Sequence, residues 1–264
     1  MYICPNCGLK LNKDGNKYIC QKNHSFDIAR QGYVNLLPVF GKKSKDPGDN
    51  EIMTVARREF LSSGHYGKLL DRLSEIIKSK NKKVLVDAGC SEGYYTSKFS
   101  ENIEKVYAFD ISKTAIKTAS ASDKKTNYFV ASSFNIPFPK NSVDMITKIF
   151  APDSPSEFFR ILKKDGILIE VIPGENHLLE LKERLYDKVY LNKIESGEKK
   201  GFNLEKEEKL IYKFKPNEKE RLNLFKMTPY YYKTDPERQK NIINAEEFEI
   251  TGEFIIRIFK KFEK

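Results

Sequence analysis

The sequence predicts an α/β protein, a doubly wound and mostly parallel sheet preceded by a small metal-held unit. Three observations predict it. Between Lys83 and Ile172 short apolar runs recur at crossover spacing, the pattern of parallel strands covered on both faces. The first of these runs leads into a glycine-bearing loop, Gly89 to Gly93. Three of the four cysteines crowd into the first twenty residues, next to a histidine. Composition agrees, because 264 residues at 39% hydrophobic content can bury a core, which excludes a collagen-like or wholly disordered chain. No run of about 18 apolar residues occurs and no basic stretch leads into an apolar one at the amino terminus, which argues against membrane spans and a secretory signal. A cytoplasmic location is the expectation. With 47 basic and 37 acidic side chains the net charge is +10, an excess that favours an anionic partner if it lies on one face.

The amino-terminal unit comes first. Cys4 and Cys7 are two residues apart, Cys20 follows after twelve more, and three residues separate Cys20 from His24. Thiols clustered this way in a chain without a secretory signal mean metal rather than disulfides. A hairpin through Lys13-Asp14-Gly15-Asn16 brings the two ligand pairs together, and four soft or borderline ligands satisfy tetrahedral zinc. The set is closed, leaving no position for water, so one zinc per chain is expected in a structural role. A segment of about 35 residues has too little apolar surface to fold without such a staple.

After Pro38 a basic stretch, Gly41-Lys42-Lys43-Ser44-Lys45-Asp46-Pro47-Gly48-Asp49, reads as a loop. A helical pattern runs from Glu51 to about Lys80, broken near Ser62-Ser63-Gly64 into two helices. Five strands are then expected at Val84–Val86, Val106–Phe109, Tyr128–Ala131, Met145–Ile149 and Ile167–Ile172. Past Pro173 the chain grows charged, with a helix expected around His177 to Val189 and a last strand from Phe248 to Phe259. The expected division is residues 1–38 for the zinc unit, 39–82 for the connector and helices, and 83–264 for the doubly wound body.

The loop Ala88-Gly89-Cys90-Ser91-Glu92-Gly93 sits where a strand passes into a helix, and its glycines let the backbone approach a ligand closely. Asp110 ends the second strand, about 20 residues beyond Asp87, where an acid can accept hydrogen bonds from ribose hydroxyls. The three-glycine spacing of a pyrophosphate loop is missing, which favours an adenosyl ligand without phosphates over NAD or FAD. Gly89 to Gly93 also spells the glycine-x-serine-x-glycine elbow of serine hydrolases. That reading takes His177 as a downstream base but leaves Asp110 without a task.

Taken together, these blocks resemble the bacterial 23S ribosomal RNA guanine-N1 methyltransferases, the RlmA/RrmA family, almost from end to end. The likeness is carried by Cys4 to Cys7 with Cys20 and His24, Gly32 to Pro38, Asp46 to Asp49, Ala56-Arg57-Arg58, Gly64-His65-Tyr66, Gly89 to Thr96, Val130 to Ser133, Ala151-Pro152, Pro173-Gly174 with His177, and Met227-Thr228-Pro229. The resemblance implies a class I S-adenosylmethionine-dependent methyltransferase fold, a zinc unit serving RNA recognition, a homodimer, and 23S ribosomal RNA as partner. It places the cofactor among Tyr66, Gly89, Ser91, Glu92, Gly93, Asp110, Ser132 and His177. No catalytic base is assigned. Phosphate contacts are expected from Lys42, Lys43, Lys45, Arg57 and Arg58, and base stacking from Tyr33 and Tyr230 to Tyr232.

Two departures from the family pattern stand out. Ser91 occupies a position where the family usually has glycine, and a side chain there crowds the ligand unless the local φ is negative. Tyr230-Tyr231-Tyr232 lies where a tryptophan-containing stretch is common. A diverged RNA-binding paralogue and a small-molecule methyltransferase carrying a structural zinc unit are the rival readings.

Overall fold

The computed structural model describes residues 1–38 and 48–262. At the amino terminus β1 (Asn12–Asp14), β2 (Lys17–Ile19) and β3 (Ser25–Asp27) pair antiparallel. Their first hairpin turns at Gly15, φ +56, a left-handed conformation that costs glycine nothing. The chain then contributes β4 (Val34–Asn35), which pairs not with this small sheet but with the edge of the main one.

Two helices follow, α1 (Glu51–Ser62) and α2 (Gly67–Ser79). Asn50 caps α1, its side chain accepting from the Met53 amide at 2.9 Å, and Gly64 at φ +87 makes the break between the helices. The body then alternates as β5 (Val84–Ala88), α3 (Tyr94–Phe99), β6 (Lys105–Asp110), α4 (Lys113–Ser122), β7 (Asn127–Val130), β8 (Val143–Ile149), α5 (Pro155–Ile161) and β9 (Leu162–Pro173). The remainder comprises α6 (Leu179–Leu185), β10 (Phe202–Phe214), α7 (Glu218–Lys226), α8 (Tyr230–Lys233), α9 (Pro236–Ile243) and β11 (Ile250–Lys261). The helix expected over His177–Val189 is shorter, because Leu178 is left-handed at φ +57 and the turn ends before Tyr186. The charged stretch beyond Glu195 contains a long strand that the sequence pattern did not disclose.

Among the described residues the main sheet has eight strands in the order β10-β11-β9-β8-β5-β6-β7-β4. Strands β4 to β9 run parallel, while β11 pairs antiparallel with β9 and with β10. Strand order reverses between β5 and β8, so the crevice of a doubly wound sheet opens at the carboxyl ends of β5, β6, β7 and β8.

Alternate residues serve opposite faces. Leu85, Met145 and Ile169 join the core beneath α1 and α2, whereas Val86, Ile146 and Leu168 join a second core. That second core includes Tyr2, Cys4, Leu11 and Cys20 of the amino-terminal unit. The Tyr2 ring lies 5.2 Å from Phe129 and 5.7 Å from both Tyr107 and Phe138.

Candidate functional site

The amino-terminal unit brings its four predicted ligands together. The ligand atoms of Cys4, Cys7, Cys20 and His24 all lie within 4.8 Å of one another. Cys7 Sγ is 3.7 Å from Cys20 Sγ, and His24 Nδ1 is 3.4 Å from both Cys4 Sγ and Cys20 Sγ. A tetrahedron with Zn–S bonds of about 2.3 Å separates its sulfurs by about 3.8 Å. The residues therefore fit zinc in both chemistry and spacing. Two tight turns set the geometry. Gly8, at φ +74, donates to Cys4 O, and Asn23, at φ +59, donates to Cys20 O.

The second site lies at the carboxyl edge of the main sheet. Its loop contains three left-handed residues in five: Gly89 at φ +76, Ser91 at φ +48 and Gly93 at φ +86. The Gly89 and Cys90 amides donate to Phe109 O, and the Ser91 amide donates to Asp110 Oδ2 at 3.1 Å. Asp110 Oδ1 accepts from the Ser112 amide at 2.8 Å. Burial raises the Asp110 pKa, and these two amides pull against that shift. A carboxylate has about four acceptor positions, so Asp110 keeps acceptor capacity toward the crevice it lines.

The crevice has two connected lobes that share Arg57, Gly89, Ser91, Ile149 and Phe150. The larger, about 260 Å³, adds Asp110, Ser132 and Phe134. The smaller, about 50 Å³, adds Tyr66, Asp87, Glu92 and Tyr95. Asp87 is fully enclosed and accepts from the Thr96 hydroxyl at 2.5 Å and the Thr147 hydroxyl at 2.7 Å. Burial pushes its pKa up to about 6, with those hydroxyls opposing and Asp110 adding to the shift. Burial also raises Glu92, against the attraction of Arg57.

Several buried polar atoms of the smaller lobe lack a hydrogen-bond partner: Arg57 Nε, Glu92 Oε2 and Tyr95 Oη. Ser91 Oγ, close enough to the Glu92 carboxyl to lower its pKa, makes no well-formed hydrogen bond either. Unpaired buried groups are costly, and their convergence on one cavity marks a place built for a polar ligand.

The structure thus gathers Tyr66, Gly89, Ser91, Glu92, Asp110 and Ser132 on one crevice. His177 and Gly93 do not line it. His177 sits one layer behind, with Nε2 3.3 Å from the Tyr66 hydroxyl and Nδ1 accepting from the Glu253 amide. Enclosure lowers its pKa to about 3, so it is neutral. Gly93 faces a separate hollow, where a Cβ would lie 2.7 Å from the Tyr128 hydroxyl. Gly89 has a structural duty of its own, since a Cβ there would lie 2.4 Å from Ala151 Cβ. The hydrolase pairing is not assembled: no histidine bonds the Ser91 hydroxyl, and His177 is bonded to Tyr66 instead.

Several expectations for RNA contact change. Arg57 turns into the crevice and pairs with Asp49 at 2.6 Å, because burying a guanidinium requires a carboxylate partner. Tyr33 is buried and Tyr230 and Tyr231 are half-buried against the core, so none presents an open ring face. Tyr232 is half exposed, its hydroxyl accepting from Asn50. Arg58 is exposed, while Lys42, Lys43 and Lys45 lie outside the described residues. Sequence reasoning missed Phe150 and Phe134 as crevice residues. The signal was present in their placement, Phe150 directly after β8 and Phe134 on the loop after β7, both at strand ends that open on the crevice.

A family model described as "RlmA, N-terminal" matches residues 2–45, and one described as "Methyltransferase domain" matches residues 86–169. The 23S rRNA (guanine(748)-N(1))-methyltransferase of Streptomyces fradiae is 33% identical over 189 residues, covering 69% of this chain and 66% of its own length. The Bacillus subtilis (strain 168) protein named "Putative 23S rRNA (guanine-N(1)-)-methyltransferase YxjB" is 32% identical over 197 residues, covering 70% of this chain and 69% of its own. Among solved structures the YcgJ protein of Bacillus subtilis aligns with a TM-score of 0.50 at 16% identity, over 73% of this chain and 98% of its own, a likeness of fold alone. No helix among the described residues is long and apolar enough to cross a membrane.

Proposed function

Because this chain belongs to the RlmA-type family of 23S rRNA guanine-N1 methyltransferases, we propose that it transfers a methyl group from S-adenosylmethionine to N1 of a guanine in a hairpin loop of 23S ribosomal RNA. The observation that carries the reading is the crevice itself, which offers an acid for ribose hydroxyls beside a lobe where single polar atoms of Arg57, Glu92 and Tyr95 lack hydrogen-bond partners. Asp110 and Ser132 would hold the nucleoside end. Arg57 and Glu92, opposite in charge and each with one polar atom unbonded, Nε and Oε2, suit the carboxylate and ammonium of an amino-acid end. The crevice also carries the carboxyls of Asp49, Asp87, Glu92 and Asp110 against the guanidinium of Arg57, a balance that favours a cationic ligand.

When bound, S-adenosylmethionine supplies a methyl group already activated on positively charged sulfur. The protein's task is then to orient the acceptor in line with that carbon and to exclude water. The rigid loop pinned by Asp110 and the neutral Tyr66–His177 pair behind it hold the walls in place without adding charge. Zinc, held by Cys4, Cys7, Cys20 and His24, would fix the amino-terminal unit, for which we propose a role in RNA recognition. Pairing of two copies belongs to the same reading, and light scattering checks it.

The test is transfer of labelled methyl from S-adenosylmethionine to a 23S rRNA transcript, with the product base identified by mass spectrometry. Label in 1-methylguanine supports the proposal. Transfer without RNA would point to a small-molecule acceptor, and cofactor binding with no transfer to any acceptor would point to a diverged RNA-binding paralogue.

A further inference from the structure

We propose that Phe150 is the aromatic platform on which the target base stacks, an assignment that rests on the function proposed above. Phe150 directly follows β8 and borders both lobes of the crevice. Its backbone is left-handed, φ +52. Among the described residues the other non-glycine positions with positive φ are Asn23, Asn81, Asn141, Asp165, Ser91 and Leu178. Asn and Asp tolerate that conformation, whereas a bulky ring does not adopt it without outside restraint.

The restraint is visible. The Phe150 amide donates to Val171 O at 3.0 Å, and the next residue, Ala151, packs on Gly89 so closely that a Cβ there would collide. Strain held in place by its surroundings is a feature of functional sites, and here it turns a ring into the crevice rather than into the core. The ring is 39% exposed. His177 lies nearly parallel behind it, the planes 27° apart and the centroids 5.9 Å, an ordinary stacking separation. One side of Phe150 is thus backed by a neutral aromatic while the ring is open to the crevice.

A base taken out of an RNA loop needs an aromatic surface to replace the stacking it gives up. The tyrosines that the sequence offered for this are mostly tied into the core, so Phe150 is the ring placed to do it. Phe134, 69% exposed on the loop after β7, lines the larger lobe but not the smaller one. Its φ is not left-handed, so no backbone strain directs its ring into the crevice.

The experiment compares wild type with Phe150→Leu, which keeps apolar bulk but removes the π face, and Phe150→Tyr, which restores it. S-adenosylmethionine affinity is read by calorimetry and steady-state methylation with a 23S rRNA transcript. Base–aromatic stacking predicts a loss of roughly 5- to 150-fold in kcat/KM for RNA in Phe150→Leu. Cofactor affinity falls by much less than kcat/KM for RNA, and Phe150→Tyr recovers most of the activity. Wild-type kcat/KM in Phe150→Leu overturns the inference, as does a parallel loss of cofactor binding or a failure of Phe150→Tyr to rescue. A wild-type protein that methylates no RNA overturns the function it rests on, and the inference with it.

Discussion

Replacing Ser91 should stabilise this protein, and in a defined order. Its φ of +48 places a Cβ in the left-handed region, at a cost of about 1–2 kcal/mol. Its hydroxyl is buried without a well-formed hydrogen bond, which costs roughly 1 kcal/mol more. Ser91→Ala removes the second cost and leaves the first. Ser91→Gly removes both, less about 0.5–1 kcal/mol for the greater freedom of glycine in the unfolded chain. The expected order of stability is wild type, then alanine, then glycine, with glycine about 1–2.5 kcal/mol above wild type. For a chain of this size each kcal/mol moves the midpoint by about 2–4 °C. Thermal unfolding followed by circular dichroism without cofactor reads the order directly. An alanine variant at least as stable as the glycine variant would refute the strain argument, since only glycine relieves φ. Calorimetry with S-adenosylmethionine then shows whether the serine crowds the ligand, as the positive φ leads one to expect: glycine should bind more tightly if it does.

The other expectations can be checked separately. Protein purified without added metal should carry one zinc per chain by elemental analysis, lost in Cys20→Ala; absence of zinc with an intact amino-terminal unit would falsify the ligand assignment. Glu170 is 2% exposed among Lys148 at 2.6 Å, Lys199 at 3.1 Å and Arg257 at 3.7 Å, so Glu170→Ala leaves Lys148 and Lys199 to share Asp153 and leaves Arg257 to Glu207, and should cost about 3 kcal/mol by urea unfolding. His177 has its pKa lowered from 6.5 to about 3, so its contribution to stability is complete above about pH 6.5 and is lost as pH falls toward 3. Asp87, raised from 3.8 to about 6, works the other way, its contribution complete below about pH 4 and lost as pH rises through 6. Denaturation across pH should therefore show a shallower acid limb in His177→Gln, and an unchanged limb would discount the burial of that ring.

The parts legible from sequence were those where local pattern and burial agree. Strands β5 to β9 are covered on both faces, so their residues read as continuous apolar runs, and the metal ligands announce themselves by spacing. Strand β10 was illegible because it is a sheet edge. Its charges are answered across the ladder, Glu207 by Arg257 and Lys209 by Glu253, so no apolar run betrays it. The two-residue β4 exists only through its pairing with β7. In the crevice, Gly89, Ser91 and Asp110 were foreseen because the turn and strand end that hold them are local features. Arg57 was taken for a phosphate ligand because a basic residue on an exposed-looking helix carries no mark of the carboxylate that draws it inward. Phe150 follows directly on the expected strand Met145–Ile149 and carries no local mark of a role in the crevice. Its orientation is set by Val171 and Gly89, far away in the chain.

The way the amino-terminal unit is joined to the main sheet has a consequence for the order of biosynthesis. Residues 1–36 are made well before the places where they anchor: Ile3 donates to Pro137 O, Leu36 donates to Val130 O, and Tyr2 rests on Phe129 and Phe138. Until the chain through Phe138 has been made the head has no seat to dock on, and its ligand turns must keep their shape without one. Zinc supplied while the chain is being made should therefore decide how the head seats on the main sheet, though none of Cys4, Cys7, Cys20 and His24 belongs to that sheet.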